Sequence, residues 1–225
     1  MSNPVSDRRG LGFAFGVCVL QPAVPAATLA LWGRYIFTNH ELNAVIPAWV
    51  LLAVAASGAA TVAILVGGLL LRGGRLTPGD IGWRAESPAR AIGLGVLGAA
   101  ASAAAVFGTA ALFGDDPIAG LHHVLGYTAS QRALFAIVGV TLALVEESFF
   151  RGNLQARLAE RIGPRAGYAI TAIAYTVWHF PLFQAASMVA RLGQGLIYGA
   201  LRGRDRPLAS CIAAHALCWA FIGLY

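Results

Sequence analysis

The chain has 225 residues, of which 58% are hydrophobic and 12% charged, where a soluble domain carries about 25% charged residues. Its mean hydropathy of +0.69 and its long apolar runs exclude a single water-soluble core and indicate a polytopic membrane protein. The net charge is +6 and all 16 basic residues are arginine, but they are dispersed between apolar runs, so they read as loop charge and not as a nucleic-acid surface.

A helix needs about 20 apolar residues to cross the hydrocarbon core. Seven segments come near or meet that length: 11–33, 45–71, 91–113, 132–150, 166–184, 187–201 and 208–225. The expected fold is therefore an all-α membrane bundle of about seven transmembrane helices, in one domain spanning residues 1–225. Arg8 and Arg9 precede the first segment, and "QPAVPAA" imitates a signal-peptide cleavage region. Continued apolar character to Trp32 favours an uncleaved anchor.

Arginines then alternate between loops. Arg8 and Arg9 lie before the first segment; Arg72, Arg75, Arg84 and Arg90 lie between the second and third. Arg157, Arg161 and Arg165 follow the fourth, and Arg202, Arg204 and Arg206 follow the sixth. The positive-inside rule places these loops in the cytoplasm, with the N-terminus inside and the C-terminus outside a plasma membrane. Leu154, Leu158 and Ile162 recur at i, i+4 and i+8, which predicts a short amphipathic helix at the cytoplasmic interface. Cys18, Cys211 and Cys218 form no close CxxC pair, so they read as packing residues. His122 and His123 fall in a polar outer loop.

The fourth segment ends in an anomaly. "ALFAIVGVTLALV" runs directly into Glu146, Glu147 and Arg151. A carboxylate at the bilayer centre costs about 2.5–3.5 kcal/mol, so both glutamates need a partner, a proton or an interface. Glu147 and Arg151 are spaced to pair on one helical face, and Glu146 points about 100° away. His179 and His215 add ionisable groups to the fifth and seventh segments, with Tyr175 one turn before His179. Ser148 has no paired base at suitable spacing and reads as a packing or backbone-bonding residue. Intramembrane ionisable residues on three helices define a functional-site hypothesis.

Three stretches in order, "EESFFR" (EExxxR), "YTVWH" (aromatic-xxx-His) and "HALCW" (His-first), resemble the motifs of the CPBP (Abi) intramembrane protease family, which includes the type II CAAX prenyl endopeptidases. The resemblance extends over roughly residues 76–225 and includes the loop "LTPGDIGWR". It implies an endopeptidase acting on peptides or membrane-associated proteins, with Glu146 as general base, His179 positioning the water and His215 on the oxyanion side. It implies further that Glu147 and Arg151 pair. Two positions depart from the family pattern: Tyr175 stands for the usual Phe, and Trp219 stands for the Asn of the third motif. No cofactor is expected; the alternative is a zinc enzyme with Glu146, His179 and His215 as ligands, although HExxH is missing. A non-proteolytic immunity, scaffold or transport protein is the other alternative. The lipid bilayer is an expected partner, nucleic acid is not, and the oligomeric state is left open.

Overall fold

The computed structural model describes residues 47–71, 82–83, 87–114, 126–179, 185–203 and 207–222, and these are helical apart from short turns. The expected first segment, Cys18, the paired histidines of the outer loop and several loop arginines lie outside the described residues. In chain order the helices are α1 (Ala48–Leu71), α2 (Pro88–Phe113), α3 (Ala129–Glu147), a π-helical turn (Ser148–Leu154), α4 (Gln155–Ile162), α5 (Pro164–His179), α6 (Ala185–Arg202) and α7 (Leu208–Ile222). Each of the second to seventh predicted segments coincides with one of these helices. Pro88–Phe113 and the continuous stretch Ala129–Ile162 are long and apolar enough to cross a membrane; Ala48–Thr61 and Leu208–Trp219 are shorter apolar helices.

Local sequence sets the boundaries. Ser87 caps α2 by accepting from the Arg90 amide, Pro88 occupies the first turn, and Gly114 ends the helix at φ 75°. Thr128 and Gln131 form a reciprocal capping box that starts α3. Gly163, at φ 90°, separates α4 from α5, which opens on Pro164.

The helices α2 and α3 both pack on α7, α1 packs on α3, and α6 lies against α2 and α5. Small residues allow the approach. A side chain at Gly95 or Gly98 would overlap Ala213, Ala214 or Leu201, so α7 lies nearly backbone-to-backbone on α2. Enlarging either glycine would cost about 1–3 kcal/mol through overpacking. Large apolar side chains face outward instead: Leu97 is 67% exposed, Leu112 84% and Val177 62%, an arrangement suited to lipid and costly in water.

The loop tripeptide "GWR" contributes two anchors. The Gly82 carbonyl accepts from the Leu208 amide at 2.8 Å, and Trp83 Nε1 donates to Ser148 Oγ at 2.9 Å. Ser148, read from the sequence as a packing or backbone-bonding residue, accepts this bond and ties the loop before α2 to the end of α3. The start of α2, the end of α3 and the α6–α7 turn therefore meet at one end of the bundle. At that end α4 is amphipathic, but its buried side is polar. Gln155 and Arg157 face the protein, while Leu158 is only partly buried and Ile162 is exposed. Arg157 is consequently a buried group held by Asn153 Oδ1 at 2.6 Å, not the solvated loop charge expected from its spacing.

Candidate active site

The α3 helix continues into the π-helical turn immediately after the glutamate pair. Such turns are rare and are frequent at functional sites. The wider turn carries Arg151 beneath Glu147 while α4 leaves toward α5. Glu146, Glu147, Arg151, Tyr175, His179, His215 and Trp219 are all buried, and the sequence-predicted set converges from α3, the π turn, α5 and α7.

The two glutamates are held differently. Glu147 Oε1 accepts from Arg151 Nη1 at 3.2 Å and from His215 Nδ1 at 2.8 Å. Arg151 Nη2 donates to the Gly195 carbonyl at 3.1 Å, and its guanidinium lies 4.4 Å from the Tyr175 ring centre. Glu147 therefore links α3, α6 and α7 through one buried pair. Glu146 Oε2 has no hydrogen-bond donor from the protein. It lies 3.6 Å from His179 Nε2 and 3.9 Å from His215 Nε2.

The histidine tautomers follow from the partners. An indole N–H only donates, so Trp219 Nε1, 3.1 Å from His215 Nε2, makes that nitrogen an acceptor. The proton of His215 is then on Nδ1, directed at Glu147, and the neutral ring has no N–H left for an oxyanion. His215 stacks on Tyr198 at 5.0 Å. Trp219 is likewise engaged: its indole packs on Phe135 at 5.7 Å, and any side chain at Gly139 would overlap it. His179 Nδ1 is 2.7 Å from the Tyr175 carbonyl, which can only accept, so Nδ1–H donates there and Nε2 is the nitrogen turned toward Glu146.

Two further site groups come from α6 and from the departure at Tyr175. Arg191 is buried, donates to Gln194 Oε1 at 3.0 Å, and is among the charges that act on Glu146 and His179. Two buried guanidiniums, Arg151 and Arg191, and two buried glutamates thus lie within the described helices. Sequence reading took its segment as a plain span; an arginine inside an apolar run was the available signal. The Tyr175 hydroxyl is buried without a hydrogen-bond partner, and the Arg151 guanidinium lies 4.4 Å from its ring centre. Among the described residues no group of three His, Cys, Asp or Glu side chains is arranged to hold a metal ion. The two buried cysteines are free and donate to the Tyr198 and Ala99 carbonyls, in keeping with a packing role.

The described helices close around buried carboxylates, imidazoles and guanidiniums, and large apolar side chains face outward. Residues 128–221 match the family model for type II CAAX prenyl endopeptidase, Rce1-like. That segment, from the α3 cap to the last turns of α7, is similar to the type II CAAX prenyl endopeptidases, in agreement with the resemblance of the motifs to the CPBP (Abi) family. No curated protein and no solved structure gave a significant match.

Proposed function

We propose that the protein is an intramembrane endopeptidase that cleaves peptides or membrane-associated proteins with a water activated by Glu146. The observation that carries this reading is the unfilled Oε2 of Glu146 facing His179 Nε2 at 3.6 Å. A water seated beside this pair, at hydrogen-bond distance from both, can donate one hydrogen to the carboxylate and one to the imidazole, which turns its lone pairs toward a substrate carbonyl. Glu146 takes the proton as the water oxygen attacks the carbonyl carbon. The C–N bond then breaks, and the same proton passes to the leaving amine. The oxyanion needs a donor in a dry site. His215 and Trp219 donate to other groups, so we assign that role to the Tyr175 hydroxyl, with Arg191 supplying positive charge nearby. Glu147, Arg151 and His215 hold the π turn in place.

The zinc alternative uses Glu146, His179 and His215. It requires His215 Nε2 to release the Trp219 N–H before its lone pair can reach a metal, and this favours the glutamate mechanism. The topology that accompanies our reading has seven crossings, a cytoplasmic N-terminus, an external C-terminus and a site opening toward the cytoplasm of the plasma membrane. The deciding experiment incubates purified protein with membrane-associated peptides after exhaustive chelation, and maps product termini by mass spectrometry. Undiminished internal cleavage supports the reading. Loss of cleavage restored by stoichiometric zinc supports the metal enzyme, and no cleavage of any peptide supports a non-proteolytic role.

A further inference from the structure

His215 reaches both glutamates. Its Nδ1 is 2.8 Å from Glu147 Oε1, and its Nε2 is 3.9 Å from Glu146 Oε2. A neutral imidazole carries one N–H, which can sit on either nitrogen. On Nδ1 it bonds Glu147 and leaves Glu146 alone. On Nε2, a small turn of the ring would bring it onto Glu146, the carboxylate that the reaction needs free. Glu147 has Arg151 as a second donor, so it can hold the ring in the first state or lose it to the second. The ring itself is confined: it stacks on Tyr198 at 5.0 Å and 21°, and meets Tyr175 edge-on at 6.2 Å.

Trp219 decides between the two states. Its Nε1–H, which can only donate, lies 3.1 Å from His215 Nε2, one helical turn away on the same face of α7. The indole is in turn fixed by apolar packing. It is buried in a cluster with Val54, Tyr127, Phe135 and Leu142, from α1, α3 and the turn before α3. The Gly139 backbone lies so close that any side chain there would overlap it. A buried indole N–H needs some acceptor, and a packing role alone would be met by any carbonyl or hydroxyl. Here the acceptor is the one histidine nitrogen that faces the reactive glutamate.

We propose that Trp219 is a positioning residue: its indole N–H fills His215 Nε2, fixes the proton on Nδ1 and holds His215 on Glu147, so that Glu146 stays unengaged. The residue in the place of the family's Asn thus acts through His215 and touches no substrate. The benefit to the reaction rests on the hydrolytic role of Glu146 proposed above. The tautomer does not, and it is read without substrate.

The test uses full-length protein in detergent with ¹⁵N-labelled histidine, and reads the His215 ring nitrogens by NMR beside the kinetics of peptide cleavage. In the parent, His215 is expected as a single form with the proton on Nδ1 and a bare Nε2. Trp219→Phe keeps an aromatic ring and removes the N–H. A proton on Nε2 is expected to appear, with kcat lower by about tenfold, the worth of one hydrogen bond on the base, and KM unchanged. Should that variant not fold, the benzothienyl analogue of tryptophan at position 219, with sulfur for N–H and the same shape, is expected to give the same two changes. A parent His215 protonated on Nε2, or an Nδ1 proton that stays in place in both variants, overturns the proposal. A tautomer change with unchanged kcat overturns the positioning role. The expected tautomer change in a parent that cleaves no peptide supports the role of the indole on His215 and overturns the hydrolytic reading instead.

Discussion

Glu146 and Glu147 are neighbours in sequence and both buried, and each leaves its Oε2 without a protein partner, yet only Glu147 is anchored through its other oxygen. Glu147 Oε1 receives an arginine and a histidine proton and connects three helices. Glu146 Oε2 receives no protein donor and lies 3.6 Å from the His179 imidazole. A buried carboxylate that is already paired acts as structure, because removing its partner or itself strands a charge. One left open in a dry site holds capacity for chemistry at a cost in stability. In the proposed mechanism the same backbone turn thus supplies an architectural acid and a reactive one.

The difference can be broken from either side. Glu146→Gln keeps shape and removes the base, so the rate of peptide cleavage is expected to fall by about 10²–10⁴. Its unfolding temperature in detergent is expected to stay near the parent value or rise, since a buried charge is lost. Glu147→Gln is expected to do the reverse. It leaves Arg151 uncompensated in a buried position, a loss of about 3–5 kcal/mol measured by thermal or denaturant unfolding. If the two variants lost stability equally while both kept full activity, the division between them would be wrong.

A sharper test concerns the oxyanion. Tyr175→Phe restores the family's usual residue and deletes one oxygen that has no partner. Stability is expected to be unchanged or slightly higher, whereas kcat is expected to drop by up to about 10²-fold, at the low end of the loss for an oxyanion donor. Unchanged turnover in Tyr175→Phe would return the role to another group. The smallest effect is expected from Trp83→Phe, which removes the donor to Ser148 at the bundle end. That change should cost about 1 kcal/mol in unfolding free energy with little change in rate per folded molecule.

Much of this site was legible from residue chemistry. Glu146, Glu147, Arg151, His179 and His215 stand out because charge inside apolar runs is expensive, and the i, i+4 pairing of Glu147 with Arg151 follows from helical spacing. The helices were legible for the same reason, since apolar length alone marks them. The pairing of each histidine was not. His215, expected on the oxyanion side, bonds Glu147 instead, where α7 packs on α3 through Gly139 and Trp219. The π turn has no local signature in "SFFRGNL" and depends on what α5 and α6 present to it. Arg157 and Gln155 were hidden by the amphipathic pattern itself, which shows where apolar residues gather but not which face meets protein and which meets lipid.

The central claim is that Glu146 and His179 together hold a water. A high-resolution structure of the purified protein, with diffraction data collected at the zinc absorption edge, tests this directly. We predict an ordered water within about 2.6–3.2 Å of both Glu146 Oε2 and His179 Nε2, with no anomalous peak at that position. An anomalous peak bonded to Glu146, His179 and His215, with Trp219 turned away from the ring, would contradict the account.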